Sequence, residues 1–281
     1  MLPDKILLSI VMPVYNAEKY IKQAMENIAA QTFQAYELLL LDGLSTDSTR
    51  AIIESKQASD PRIRLVSEED KGIYDAMNKG AARARGEWVY FMGCDDAFHN
   101  TDVLEKLSLH FTDNVDLVYG DTIWLPDGER EEGMLDPRLL VDRNVNHQRI
   151  FYRKQLFIQW GNYDLQYKVA SDHELNIRFF CNHQIRKQYI PVTIARYYSG
   201  GFSAHKLDEA FWKNWKRIFH QNFARHLPQK DMYTKLGWYC RYQLDQKNYK
   251  ESFRLFWDVF IHTLSPGFVL LTFRHLIRSR K

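Results

Sequence analysis

The sequence predicts an α/β fold with a mostly parallel central sheet, followed by a helical C-terminal region. Short apolar runs alternate with amphipathic stretches over the N-terminal half, and strands that alternate with helices pair in parallel through crossovers. Beyond Ser203 the apolar residues recur only at helical spacing. Acidic residues close several of the apolar runs, at the edge where open parallel sheets bind ligands.

Four apolar runs in the N-terminal half have the length and composition of buried strands: 7–12, 36–41, 63–66 and 88–92. Amphipathic patterns between them predict helices over 17–30, 47–55 and 72–85, the second with Asp47 as its cap. From about residue 115 the pattern changes, with strands predicted over 115–119, 122–125 and 146–152 and a helix over 172–181. This part should extend the sheet and form the other wall of a cleft.

The composition is that of a protein with a real core, since 45% of the 281 residues are hydrophobic and 26% are charged. The three cysteines, Cys94, Cys181 and Cys240, are far apart and lack metal-ligand spacing. Their spacing therefore supports neither a disulfide framework nor a zinc cluster, and a reducing compartment fits best. No segment has the features of a secretory signal or a spanning helix, so we expect a cytoplasmic protein.

The net charge of +3 conceals two parts of opposite sign. Residues 1–204 carry 23 Lys+Arg against 29 Asp+Glu, whereas residues 205–281 carry 15 against 6 and hold 16 of the 40 aromatic residues. Helices are expected there over roughly 207–225, 231–244, 248–263 and 267–279. The first would gather Phe211, Trp212, Trp215, Phe219 and Phe223 on one side, and the last carries Arg274, His275, Arg278, Arg280 and Lys281. Such helices suit an anionic membrane surface, and the alternative is that their aromatic residues pack on the rest of the protein or a second subunit.

Adjacent carboxylates follow the strand predicted over 88–92. Asp95 and Asp96 would repel each other unless a cation offsets them, which favours a hard divalent ion bound to a diphosphate. Asp42 closes another strand, where a carboxylate can accept the imide proton of uracil or the hydroxyls of a ribose. The alternative for each acid is an ordinary turn. The chain contains no glycine-rich dinucleotide fingerprint or phosphate loop, and no nucleic-acid recognition motif accompanies the basic region.

Four segments, 9–16, 42–49, 71–80 and 86–96, together resemble family 2 glycosyltransferases with the GT-A fold. The resemblance covers about residues 6–203 and is closest to bacterial enzymes that build exopolysaccharide, capsule or O-antigen. It implies a catalytic domain over 1–204, in which about 1–114 bind the nucleotide sugar and 115–204 bind the acceptor. Residues 205–281 would form the separate basic helical region.

The resemblance also implies roles for individual residues. Those that would hold the uridine half of the donor are Pro13, Val14, Tyr15, Asn16 and Asp42. Asp95 would contact the ribose or donor sugar, and Asp96 would bind Mg²⁺ or Mn²⁺. Gly93 stands where the family often has another acid. Lys71 and Asp75 would either line the donor pocket or lie on a helix surface.

The segment 169–175 resembles the family's Glu-Asp-x-Glu-Leu sequence, with Asp172 in the position of the catalytic base. A base within hydrogen-bond reach of the acceptor hydroxyl takes its proton as the new bond forms. The alternative is that Asp172 caps a helix. His147 could donate to an acceptor or diphosphate oxygen, or be a core histidine, and the glycines of 198–203 could form a mobile loop or a surface turn.

The sequence hypothesis is an inverting, metal-dependent transfer of a hexose or N-acetylhexosamine from a UDP-sugar to a sugar acceptor linked to a polyprenyl diphosphate. The protein would be cytoplasmic and peripheral on the inner face of the plasma membrane. The sequence leaves open whether it forms a homo-oligomer. One rival is a non-catalytic nucleotide-sugar-binding assembly subunit, which would keep Asp42 and Asp95 but lose the base. The other is a sugar-phosphate nucleotidyltransferase, which would need a Gly-rich basic loop where Pro13 to Ala17 stand.

Overall fold

A mixed sheet organises the first of two units in the computed structural model, which describes residues 5–198, 207–225 and 227–278. The first unit lies within Met1–Leu135 and Asn144–Leu207, and the second within Asp136–Arg143 and Asp208–Lys281. The strands of the first unit are β1 (Leu8–Val14), β2 (Tyr36–Asp42), β3 (Ile63–Ser67), β4 (Trp88–Phe91), β5 (Ala97–Phe98), β6 (Leu117–Leu125), β7 (Arg130–Glu131), β8 (Ile150–Arg153) and β9 (Lys187–Tyr198). Its helices are α1 (Ile21–Ala29), α2 (Thr49–Gln57), α3 (Ile73–Arg83), α4 (Val103–Ser108), α6 (Gln155–Trp160) and α7 (Ser171–Cys181), with a 3-10 turn at His147–Arg149.

The strand order is β3-β2-β1-β4-β8-β6-β9-β5, with β7 paired to β6. The first four strands are parallel, as the alternation of strands and helices predicts. They read as continuous apolar runs because helices cover both faces of the sheet. Ile10 packs in a core with Met25 of α1, whereas the neighbouring Val11 faces Gly80 of α3, so α1 and α3 lie on opposite faces. Because β1, β2 and β4 are parallel, their carboxyl ends lie at the same edge of the sheet.

The second half of the sheet differs from the sequence prediction in two places. The strands expected over 115–119 and 122–125 are one strand, β6, whose pairing with β9 shifts register around Gly120. A Cβ at Gly120 would lie 2.5 Å from the carbonyl oxygen of Val192, so only glycine allows this close approach of β9. The strand expected over 146–152 is the 3-10 turn followed by the short β8, because the Asn146 side chain caps the turn by accepting from the Gln148 backbone N–H.

The second unit is helical in the residues that the structure describes. Its helices are α5 (Leu139–Asp142), α8 (Glu209–Lys213), α9 (Trp215–Asn222), α10 (Gln229–Asp245), α11 (Tyr249–Thr263) and α12 (Pro266–Arg278). The helix expected over 207–225 is therefore interrupted at Asn214. Trp212 stacks on Tyr239 of α10 with ring centroids 5.3 Å apart, and the Trp215 indole donates to the Met232 carbonyl at 3.3 Å.

The aromatic side predicted for the first tail helix is interior. Four of its five members, Phe211, Trp215, Phe219 and Phe223, are each at most 2% exposed, and the fifth, Trp212, is half-buried. The segment is amphipathic, as its periodicity predicts, and its apolar side packs against other helices of the same unit. Across the described ranges, no helix combines the length and the hydropathy needed to cross a bilayer.

Candidate active site

The loop after β1 is tied to the loop after β2. The Asn16 backbone N–H donates to Ser45 Oγ at 2.9 Å, and Asn16 Oδ1 accepts from the Thr46 N–H at 2.9 Å. Asn16 has a φ of 49°, in the left-handed region that asparagine tolerates better than most residues. Of the other loop residues predicted to hold the donor, Val14 is buried, Pro13 is half-buried, and Tyr15 is 65% exposed. The tyrosine thus offers its ring at the carboxyl edge of the sheet.

Asp42 ends β2 and is buried, with 2% of its surface exposed. Its Oδ2 accepts from Ser67 Oγ at 2.6 Å and its Oδ1 from the Ser45 N–H at 3.1 Å. A second acid lies near it: a Cβ built on Gly43 would stand 2.6 Å from Asp70 Oδ2 and 3.6 Å from the Tyr15 ring. The edge therefore carries a pair of carboxylates next to an exposed aromatic ring.

Lys71 and Asp75 lie at the start of α3. Asp75 Oδ2 accepts from the Lys71 backbone N–H at 3.0 Å and is 3.1 Å from Lys79 Nζ. Partial burial opposes ionisation of Asp75, but these two donors outweigh it and hold its pKa below the ordinary value. The Lys71 side chain is exposed. These contacts are those of the helix-surface alternative, and a donor role for either residue stays a prediction.

The adjacent acids after β4 differ in environment, since Asp95 is exposed and Asp96 is 5% exposed. Asp96 Oδ2 accepts a hydrogen bond from Gln148 Nε2. A Cβ on Gly93 would lie 2.3 Å from Asp96 Oδ2 and 2.9 Å from Asp95 Oδ1. Position 93 therefore has no room for the acid that the family often carries there while both carboxylates keep these positions.

Asp172 lies in the first turn of α7, where Ala170 is the N-cap residue. Its Oδ1 is 3.0 Å from the Tyr74 hydroxyl, and its Oδ2 accepts from Asn144 Nδ2 at 2.8 Å. His147 Nδ1 is 3.7 Å from the same Oδ2. The predicted base is thus held by three side chains that are remote from it in sequence, and it is not the helix cap.

These neighbours set the ionisation of the base. Burial of Asp172, whose side chain is 13% exposed, opposes the charged form. The interactions with His147, Asn144 and Tyr74 outweigh that cost, so the pKa of the Asp172 carboxyl is lower than usual. Asp172 is therefore an ionised carboxylate at neutral pH, which is the form that can accept a proton.

The 3-10 turn His147–Arg149 contacts both Asp172 and Asp96. His147 contacts Asp172, and the next residue, Gln148, contacts Asp96. The third residue, Arg149, is fully buried, and its Nε donates to the Gly120 carbonyl at 2.6 Å. Its guanidinium also lies 3.6 Å from Asp121 Oδ1 and 3.5 Å from Glu131 Oε1. A buried ion-paired arginine thus fixes the turn that holds both acids.

The profile of the family described as Glycosyl transferase family 2 matches residues 9–189. The chain belongs to this family. A PGL/p-HBAD biosynthesis glycosyltransferase of Mycobacterium bovis is 38% identical over 212 residues, which is 74% of this chain and 83% of that protein. The Escherichia coli UDP-Glc:alpha-D-GlcNAc-diphosphoundecaprenol beta-1,3-glucosyltransferase WfgD is 30% identical over 154 residues, which is 54% of this chain and 56% of that protein.

Among solved structures, S. aureus TarS 1-349 in complex with UDP-GlcNAc superposes with a TM-score of 0.61 at 18% identity, over 81% of this chain and 69% of that chain. At this identity the likeness concerns the fold. The predicted family and the predicted GT-A fold are both confirmed, and the protein is a glycosyltransferase.

Some residues of the candidate site had no role predicted from the sequence, namely Asp70, Tyr74, Asn144 and Gln148. Tyr74 stands in the segment 71–80 that carries the resemblance, and the same segment supplies Asn78, whose amide exchanges two hydrogen bonds of 2.9 Å with the Tyr163 backbone. The resemblance therefore marked the segment 71–80, but the sequence does not show in which direction each of its side chains points. The segment Ser199 to Ser203 lies outside the described residues.

A cavity of about 560 Å³ opens beside the paired acids. It is lined by Tyr20, Gln23, Ala24, Asn27, Cys94, Asp95, Asp96, Ala97, Leu125, Pro126 and Arg196. Tyr20 and Arg196 are exposed, and the Arg196 guanidinium donates to the His99 backbone carbonyl at 3.1 Å and to His99 Nδ1 at 3.3 Å. Burial raises the pKa of the Cys94 thiol to about 12, so this cysteine stays protonated at neutral pH.

Proposed function

We propose that this glycosyltransferase moves a hexose or an N-acetylhexosamine from a UDP-sugar to a sugar acceptor, with inversion at C1. The observation that carries the proposal is the 3-10 turn, from which His147 holds the ionised Asp172 and Gln148 holds Asp96. The turn would thereby hold two groups at a fixed separation: a base for the acceptor hydroxyl, and a carboxylate for the cation on the diphosphate. Inverting transfer needs these two groups on opposite sides of the sugar.

Asp172 would act as the general base. Its carboxylate accepts the proton of the acceptor hydroxyl while the oxygen attacks C1 of the donor sugar. The bond between C1 and the diphosphate oxygen breaks, its electrons leave with UDP, and the product is a β-glycoside from an α-linked donor. The lowered pKa of Asp172 supports this role because the carboxylate is already ionised at neutral pH.

The residues present fit a divalent cation, Mg²⁺ or Mn²⁺. Asp96 supplies a buried carboxylate, and the neighbouring Gln148 Oε1 is a buried amide oxygen with no hydrogen-bond partner. Carboxylate and amide oxygens are ligands that such hard cations take, and a cation would give the unpaired Gln148 Oε1 a partner. Asp96 and Gln148 would hold the cation, which when bound neutralises negative charge on the diphosphate.

The donor's uridine half would lie at the carboxyl edge of β1 and β2. Asp42 is buried and could accept from the uracil imide, while the exposed Tyr15 ring beside Gly43 could cover the base. Asp70 adds a second acceptor for ribose hydroxyls at the same place. The name of the relative WfgD includes UDP-Glc, which agrees with a uridine nucleotide.

The acceptor would be a sugar on a polyprenyl diphosphate, as the name of WfgD states for that enzyme. Its attacking hydroxyl would lie beside Asp172, near the side chains of Tyr74, Asn144 and His147. Such an acceptor is anchored in the membrane, so the protein would act in the cytoplasm at the inner face of the plasma membrane.

The test is an assay of the purified full chain with UDP-, GDP- and TDP-sugars, each with Mn²⁺ and with EDTA. We expect consumption of a UDP-hexose or UDP-N-acetylhexosamine that requires the cation, and a β-linked product by NMR. Preference for a GDP- or TDP-sugar would refute the donor assignment. An α-linked product would refute inversion, and binding of a UDP-sugar without any turnover would favour a binding subunit.

A further inference from the structure

One face of α11 is apolar and exposed. Tyr249, Phe253, Trp257 and Ile261 follow one another at intervals of four residues, and their exposed fractions are 56%, 64%, 45% and 61%. Residues at this spacing share one side of a helix. We call these four residues the α11 stripe. Leu264, which follows the helix, adds another exposed apolar side chain.

The rest of α11 is fixed to its own unit, so the stripe does not turn inward. Ser252, Leu255 and Val259 are each 2% exposed. Ser252 Oγ donates to the Cys240 carbonyl of α10 at 3.0 Å, and Cys240 Sγ donates to the Ser252 carbonyl at 3.3 Å. The stripe is therefore a built surface of a packed helix, carrying three aromatic side chains where solvent-exposed helices carry polar ones.

Charge near the stripe is positive. Both acids of α11 are neutralised by cations: Glu251 lies 2.6 Å from Arg254, and Asp258 accepts from Lys216 Nζ at 2.7 Å. Lys250 is exposed and lies seven residues before Trp257, on the same side of the helix. Residues 205–281 as a whole carry 15 Lys+Arg against 6 Asp+Glu. A partner of this surface should therefore be apolar and negatively charged.

We propose that the α11 stripe docks the protein on an anionic lipid bilayer, with its aromatic rings at the level of the headgroups. Tyrosine and tryptophan suit this level because their rings are apolar and their tips are polar, and nearby cations gain from lipid phosphates. A second copy fits less well, because a twofold interface would bring the same excess of cations together. The inference rests on the proposed function only in that a lipid-linked acceptor requires a membrane contact.

The test is flotation of the full chain with vesicles of phosphatidylcholine and phosphatidylglycerol, against vesicles of phosphatidylcholine alone. Burial of one phenylalanine side chain is worth a factor of about ten or more in binding. Phe253→Asp should thus lower the partition coefficient on anionic vesicles at least tenfold, and Lys250→Glu should weaken anionic binding only. The matched control is Ile158→Asp, which changes a side chain that is 70% exposed on α6 of the first unit and should float like the wild type.

The outcomes separate this inference from the proposed function. Donor consumption with a water-soluble acceptor should be the same for the wild type and Phe253→Asp, because α11 contributes no residue to the described site. Equal flotation of Phe253→Asp and the wild type, or no flotation of the wild type, overturns the docking surface even if transfer is normal. A wild-type dimer in light scattering that Phe253→Asp dissociates also overturns it, since a second copy then covers the stripe. Vesicle binding without any transfer contradicts the proposed function alone.

Discussion

Removal of one hydroxyl group from Tyr74 should make the proposed base more basic. The Tyr74 hydroxyl lies 3.0 Å from Asp172 Oδ1 and 2.8 Å from the Val169 carbonyl, and its ring stacks on Tyr163 at 5.3 Å. Tyr74→Phe keeps the ring and removes only the hydroxyl. A hydrogen bond to a charged group is worth about 1.5–3 kcal/mol, and the lower end applies because one proton serves two acceptors. At about 1.4 kcal/mol per pKa unit, the pKa of Asp172 should rise by about one unit.

The assay is the pH dependence of kcat/KM for transfer by the wild type and by Tyr74→Phe. A donor to a carboxylate favours its charged form, so loss of the donor should move the acidic limb about one pH unit upward. The matched control is Tyr36→Phe, which removes a buried hydroxyl that donates to the Ile28 carbonyl at 3.2 Å away from the site. Superimposable acidic limbs for Tyr74→Phe and the wild type would refute the reasoning. A uniform loss of rate without a shift would reduce Tyr74 to a packing role.

Loss of the Tyr74 hydroxyl should also lower the free energy of unfolding. Because the pKa of Asp172 in the folded protein is below the ordinary value of an aspartate, its carboxylate stabilises the fold at higher pH. That contribution disappears as the pH falls through the folded pKa. Tyr74→Phe should therefore cost about 1.4 kcal/mol of unfolding free energy at pH 7, as one pKa unit is worth, and progressively less in acid.

Other substitutions test the rest of the site. Asp96→Ala should lower the calorimetric affinity for UDP in Mn²⁺ to the value measured in EDTA, and an unchanged affinity would remove Asp96 from the cation site. Gly93→Ala should weaken Mn²⁺-dependent UDP binding because its methyl would clash with Asp96 Oδ2, whereas Gly267→Ala, whose methyl would lie at an ordinary contact distance of 3.7 Å from Ser265 Oγ, should bind like the wild type. Asn78→Ala removes two hydrogen bonds to the Tyr163 backbone and should cost about 2 kcal/mol in urea unfolding; a loss near zero would show that water replaces them.

The parallel half of the fold was readable from the sequence. Strands such as β2 (Tyr36–Asp42), buried at every position, produce continuous apolar runs that end where the polar edge begins. The acids Asp42 and Asp96 were found for the same reason, since they close such runs. The second half was harder because β6 passes through Gly120, a residue that reads as a strand end but permits the close approach of β9.

The partners of the base could not be predicted because they depend on tertiary packing. Tyr74 is 98 residues from Asp172, and Asn144 is 28 residues away on a different element. Helical periodicity has a similar limit. It marked Phe219 as a member of an apolar side without showing whether that side is covered: Phe219 is fully buried, whereas Phe253, which lies on the later helix α11, is 64% exposed. Which face of an amphipathic helix is covered is decided by the neighbouring helices, not by its own sequence.

The central claim is that Asp172 is the base while other residues hold the donor, and Asp172→Asn tests it most directly. The amide keeps the size of the side chain but cannot accept the acceptor's proton. Transfer in a single turnover should fall by about 10²–10⁴-fold, the usual contribution of a general base, while the UDP affinity measured by calorimetry stays within about twofold of the wild type. A transfer rate near that of the wild type, or an equal loss of UDP binding, would contradict the account.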